Sequence, residues 1–213
     1  MDRKEEGSSG MDSWEKTAVL ISQEIRDWSE QVLEAPSDEH GGLAPCPFAR
    51  MAWLKDNVMI HVTQDIEAVI ELKALYPPTS DTMHVIAWTG FRDMTTDQFA
   101  EWLNDQNKDH FGVWMTGFHP DAEEDETIPE YSGLGVDDYA IILMQSYEHL
   151  VSSSRRLLRT AYYRRYSPED LSHINNRQEK FDAWNEKVNA KAYEHCEEEA
   201  LQNRTEGSGT FEH

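Results

Sequence analysis

Between Val58 and Phe118 the hydrophobic pattern of this chain switches repeatedly between two periods, and that series limits the fold more than any other feature. Val58, Ile60 and Val62 alternate with Met59 and His61, the period of a half-buried strand. Asp65 to Leu75 reads as a helix with Ile66, Val69, Ile70 and Leu72 on its apolar side, stopped by Pro77 and Pro78. Met83 to Trp88 is mostly apolar, which predicts a second strand buried on both faces. Thr96 to Asn107 reads as a helix with Phe99, Trp102 and Leu103 inward, and Phe111 to Phe118 as a third strand ending at His119-Pro120. Strand, helix, strand, helix, strand with short connections predicts an α/β fold. Its core is a small three-stranded β-α-β-α-β unit, for which parallel crossovers and a ferredoxin-like split arrangement both fit.

Helices flank this core. Asp12 and Glu15 form a capping pair for a helix reaching about Leu33, with Ile21, Ile25, Trp28 and Val32 on one face. The stretch APSDEHGGLAPCP then breaks helical periodicity. Asp121 to Asp138 reads as an acidic loop, and Tyr139 to Tyr166 as a helix, apolar at first (AIILM) and Arg-rich later. Ser167-Pro168-Glu169-Asp170 starts another helix, with a capping hydroxyl, proline in the first position and acids in the first turn. That helix runs to about Gln202 and carries only a thin apolar stripe, Ile174, Phe181, Trp184 and Val188. It either lies over the domain or makes a homodimer contact. The organisation predicted is a flexible lead at 1–11, a single α/β domain with a helical extension at 12–202, and a flexible tail at 203–213.

Composition narrows the function classes. In 213 residues, 41 Asp and Glu oppose 19 Lys and Arg, a formal charge of −22. Such a surface repels a phosphate backbone, so no broad nucleic-acid surface is expected. Seven Trp, eight Tyr and seven Phe supply core material although hydrophobic residues are only 38%. No run of 18 apolar residues and no apolar leader is present, and Cys46 and Cys196 make no disulfide framework. The expectation is a cytoplasmic protein without a membrane partner.

Two short motifs could carry chemistry. In Cys46-Pro47-Phe48-Ala49-Arg50 the prolines bracket the cysteine, and Pro47 suits the first position of a helix. Cys46 would then be the N-cap, where free N–H groups and the helix dipole lower a thiol pKa. Arg50, one turn on, would bind an anion. The competing explanation is a small buried cysteine at a proline corner. In Gly117-Phe118-His119-Pro120-Asp121 the histidine stands where a strand exits, as catalytic groups do in α/β folds. His119 would serve as base to Cys46, with Asp121 orienting it. The alternative is a strand terminator with Asp121 in a turn. His119-x-Asp121 also matches part of a non-haem iron site, with His149 or His173 as a third ligand, but such ligands belong to many-stranded barrels. Marked zinc, phosphate-loop, dinucleotide and Gly-x-Ser-x-Gly signatures are absent from the sequence.

Five arginines fall between Arg155 and Arg165, interleaved with Tyr162 and Tyr163. They suit phosphate or base contacts, or ion pairs with the acidic run from Asp121 to Asp138. The second is favoured because those acids are tethered nearby.

The helix bearing Trp28, the Cys46-Pro47-Phe48-Ala49 motif, the β-α-β-α-β core and Phe118-His119-Pro120-Asp121 together resemble an uncharacterised bacterial domain-of-unknown-function family. Cys-Pro-Phe-Ala and Phe-His-Pro-Asp motifs mark that family. Ile174-Asn175-Asn176-Arg177 is similar to its closing helix, so the resemblance runs from about Ile21 to Trp184. It implies an α/β cytoplasmic domain in which Cys46 and His119 are prominent, and no reaction. Where the family carries Asn-Arg-Ser-Pro-Tyr-Pro, this chain reads Gly133-Leu134-Gly135-Val136-Asp137-Asp138-Tyr139, the mark of a divergent member. Two functions follow as expectations. One is a thiol-dependent enzyme acting on a small-molecule ligand through Cys46, His119, Asp121 and Arg50. The other is a non-catalytic binding or assembly protein using its C-terminal helices or the Arg-Tyr surface. Neither assigns a cofactor.

Overall fold

The computed structural model describes residues 13–108, 112–122 and 139–206, with side chains of the last helix described to residue 188. The expected lead, the Asp12 cap and nearly all of the acidic loop lie outside these residues. The chain divides into two compact units between Tyr166 and Ser167.

In the first unit, α1 (Ser13–Trp28) buries Ile21, Ile25 and Trp28, the face its spacing predicts. It continues as a π-helical segment, Ser29–Leu33. The remaining elements are α2 (Ala49–Leu54), β1 (Val58–Thr63), α3 (Ile66–Leu75), β2 (Met83–Trp88), α4 (Thr96–Asn107), β3 (Val113–Phe118), β4 (Ala140–Ser146) and α5 (Tyr147–Leu157). Side-chain caps fix the helix starts. Asp65 accepts from the Glu67 N–H, and Thr95 and Gln98 close a capping box on α4.

The sheet has four strands in the order β1-β2-β4-β3. β1 and β2 are parallel, whereas β4 runs antiparallel to β2 and β3 antiparallel to β4. This mixed sheet replaces both three-stranded arrangements expected from the sequence. The difference lies in Ala140–Ser146, read above as helix. Ile141 and Ile142 face opposite sides of the sheet, and β2 and β3 take up hydrogen bonds on its two edges. A short apolar run has no period that separates a buried strand from a buried helix, so only its neighbours decide.

The alternation of β2 builds two cores. Ile86 and Trp88 join Val69, Phe99, Met115 and Ile142 beneath α3 and α4, while Val85 and Ala87 join Ile21, Ile25 and Trp28 of α1. Burial of β2 on both faces is thus as its composition predicts. The Arg-rich stretch departs from expectation. The helix stops at Leu157, and residues 158–166 are turns.

The second unit contains α6 (Pro168–Glu206), which starts as predicted. Ser167 Oγ accepts from the Asp170 N–H at 3.1 Å, and Asp170 Oδ2 accepts from the Ser167 N–H at 3.2 Å and from its hydroxyl at 2.7 Å. Within the helix the Phe181 and Trp184 rings lie 5.8 Å apart.

Candidate functional site

His119 leaves the end of β3 and turns into the core beneath α4. Gly117 permits this approach, because a Cβ there would lie 2.6 Å from Phe99 and Leu103 atoms. The ring stands against Phe91 and Phe99, with centroids 5.3 and 5.6 Å away. Its Nε2–H donates to the Met94 carbonyl at 3.2 Å, and Nδ1 accepts from the Asp121 N–H at 3.2 Å. Those partners set the tautomer and engage both nitrogens, which leaves neither lone pair nor proton for a substrate. The Asp121 carboxylate is 3.9 Å from Nδ1 and mostly in solvent. Asp121 therefore holds the ring through its backbone.

Cys46 sits elsewhere. Its N–H donates to the Leu33 carbonyl at 3.0 Å, at the end of the π-helical segment. Leu33 packs on the α1 side of the sheet, whereas Phe91 and Phe99 around His119 belong to the α3/α4 side. The neighbours of Cys46 and of His119 thus lie on opposite faces, and the expected dyad is not assembled. Helix α2 begins at Ala49 with Phe48 as its N-cap, so Cys46 precedes the cap and Pro47 lies in the turn before it. The thiol still receives the Phe48 and Ala49 N–H groups, which favour the thiolate. Burial outweighs them, and together with the nearby Glu34 carboxylate it pushes the thiol above its ordinary value. This direction runs against the lowered thiol pKa expected of a cysteine at a helix N-cap. Arg50 is exposed on α2.

A polar network ties this corner to α1. Glu34 accepts from Arg26 Nη1 at 2.5 Å and from Ser29 Oγ at 3.2 Å, and Ser29 Oγ accepts from Trp53 Nε1 at 2.8 Å. Arg26 stacks 4.7 Å above the Trp53 ring. Arg26 and Trp53, with Val19, Ile60 and Val62, line an open groove of about 470 Å³. Sequence periodicity gives no sign of it, because its walls come from α1, α2 and β1. Its one lining cation is already paired, so the groove offers an apolar wall rather than an anion site.

The Arg-Tyr stretch is a built surface. Tyr162 is buried, its hydroxyl donates to the Pro45 carbonyl, and its ring lies 5.0 Å from His40. Burial, reinforced by Tyr166, raises the Tyr162 phenol pKa far above the ordinary range. Gly41 has φ +66°, and a Cβ there would meet the Ala161 Cβ at 2.7 Å, so the two turns press directly together. Tyr163 stands edge-on to Tyr162 and Tyr166, with centroids 4.8 and 4.9 Å away. Thr160 Oγ1 donates to the Leu157 carbonyl and accepts from the Tyr162 N–H. Against this backing Arg155, Arg156, Arg159, Arg164 and Arg165 are all exposed. Arg156, Arg159, Arg164 and Arg165 form no ion pair with any described residue. The acids expected to neutralise them lie, Asp121 apart, outside the described residues.

Among the described residues no helix is long and apolar enough to cross a membrane. Comparison with known proteins returned no matching family model, curated protein or solved structure.

Proposed function

We propose that this chain is a non-catalytic binding protein whose Arg-Tyr surface holds an acidic segment of a partner protein. One contrast carries the reading: the two residues suited to catalysis are engaged in packing, while Arg156, Arg159, Arg164 and Arg165 stand in solvent beside packed tyrosines. Exposed guanidinium groups are the donors best shaped for carboxylates, which they can take two oxygens at a time. The patch is local, within a chain of formal charge −22. A short acidic segment fits it, whereas a long nucleic acid would run onto acidic surface. On this reading a divergent member of the Cys-Pro-Phe-Ala and Phe-His-Pro-Asp family keeps both motifs for packing.

Fluorescence anisotropy with a labelled oligoglutamate peptide tests it. Binding should weaken steeply as salt shortens the Debye length from roughly 10 to 3 Å. It should vanish when Arg156, Arg159, Arg164 and Arg165 are all changed to Glu. Equal or tighter binding of an oligothymidylate of the same charge, or no effect of the reversal, would overturn the proposal. Assembly through α6 is a second reading, favoured by Val188, which is exposed on its narrow apolar stripe. Truncation after Tyr166, followed by sedimentation, should then turn a dimer into a monomer.

A further inference from the structure

On the sheet face opposite α1, His61 of β1 and His84 of β2 meet across the parallel ladder. His61 Nε2 lies 3.2 Å from His84 Nδ1, and the ring centroids are 4.9 Å apart. Two imidazole nitrogens bound to one metal at about 2.0–2.1 Å sit about 3.3 Å apart at a tetrahedral angle and about 3.5 Å apart at the trigonal angle of a three-donor set. The observed 3.2 Å is within about 0.3 Å of the bite of a shared metal and also suits an N–H···N hydrogen bond. Register adds a third donor. Met59 is the direct partner of His84 and lies two residues before His61, so all three side chains emerge on one face. Met59 is 49% exposed at an edge strand, which leaves its flexible thioether free to swing onto an ion.

We propose that His61, His84 and Met59 form a site for monovalent copper. Two neutral imidazoles and a thioether are a soft, three-donor set, and soft thioether ligands select Cu(I). Zinc prefers four ligands, commonly including thiolate or carboxylate. Among the described residues no group of three or more His, Cys, Asp and Glu side chains is placed to supply them. Ligation needs the His61 proton on Nδ1 and the His84 proton on Nε2. The hydrogen-bonded pair carries one proton between the facing nitrogens, so one ring changes tautomer and no net proton is released. Tyr76 stands edge-on to His84 at 5.2 Å, and its hydroxyl donates to the Thr82 carbonyl at 2.5 Å, which walls the site on the α3 side. The acidic surface draws cations toward it.

The test uses the full chain with Cys46→Ser and Cys196→Ser, which removes thiolate competition. Under anaerobic conditions Cu(I) is titrated against a chromophoric chelator. One equivalent should be withdrawn, and X-ray absorption should report two nitrogen ligands and one sulfur. His61→Gln or His84→Gln should weaken binding at least tenfold, and the surface change Met59→Leu should weaken it and remove the sulfur signal. Circular dichroism establishes that each variant is folded, and Met59→Leu gives the sulfur readout without touching the two half-buried rings. Failure to withdraw Cu(I), wild-type affinity in the doubly substituted histidine variant, or equal affinity for Zn(II) would overturn the assignment.

Discussion

Replacing His119 by Ala removes a ring that is only 4% exposed and bonded at both nitrogens, and the expected cost can be built from its contacts. Each hydrogen bond contributes about 1 kcal/mol net, and the Met94 carbonyl loses a partner. The edge-on contact with Phe91 and the tilted one with Phe99 each add about 0.5–1.5 kcal/mol. Deleting a full phenyl ring from a core costs about 3–5 kcal/mol, and these contributions overlap within that total. Imidazole is smaller and more polar, so the expected loss is about 3 kcal/mol, near the foot of that range. For a chain of this size that lowers Tm by about 6–12 °C. Urea unfolding followed by tryptophan fluorescence measures the loss, with the slope against denaturant expected to stay constant. His119→Gln keeps a donor for Met94 and should recover about 1 kcal/mol. In parallel, the pH midpoint of Cys46 labelling is compared in both backgrounds. A loss below about 1 kcal/mol, or a shifted Cys46 midpoint in the Ala variant, would refute the structural role and restore a link between the two residues.

The Cys46 thiol, in a Cys196→Ser background, should titrate above its reference value of 9.0 when followed by labelling rate against pH. Its raised pKa contributes stability that is fully present below pH 9.0 and lost as pH rises through the folded-state value. Alkaline unfolding should thus be shallower in Cys46→Ser, while burial of Tyr76 and Tyr162 maintains part of the slope. Arg26→Met strands the Glu34 carboxylate, whose side chain is 8% exposed, and should cost about 3 kcal/mol in a denaturant titration. The double change with Glu34→Gln should recover most of that loss; equal losses in both variants would contradict the pairing. Tyr162→Phe should cost about 1–2 kcal/mol through the stranded Pro45 carbonyl. It should also loosen residues 158–166, read as faster amide hydrogen exchange there.

Much of the architecture is written in local pattern. The helical face of Ile21, Ile25 and Trp28, the alternation of β1 and the Ser167-Pro168 helix start each appear where the sequence puts them. These depend on neighbours within one or two turns. The two motifs were visible as unusual, but their roles depend on partners far along the chain. His119 is satisfied by Met94, 25 residues away, and Tyr162 reaches Pro45 across 117 residues. The His61–His84 pair is not legible in the sequence, because nothing there states that β1 and β2 are adjacent with Met59 opposite His84.

Amphipathic period, capping residues and proline placement determined α1, α3, α4, the start of α6 and three of the strands, and charge arithmetic located the arginine island. Those are properties of a segment and its own side chains. Tertiary structure decided that Ala140–Ser146 is a strand, because strands on both of its edges take its backbone hydrogen bonds. It also decided the direction of the Cys46 shift, because desolvation by the folded chain outweighs two local N–H groups. Adjacency across a sheet and removal of water are collective, and no single segment encodes them.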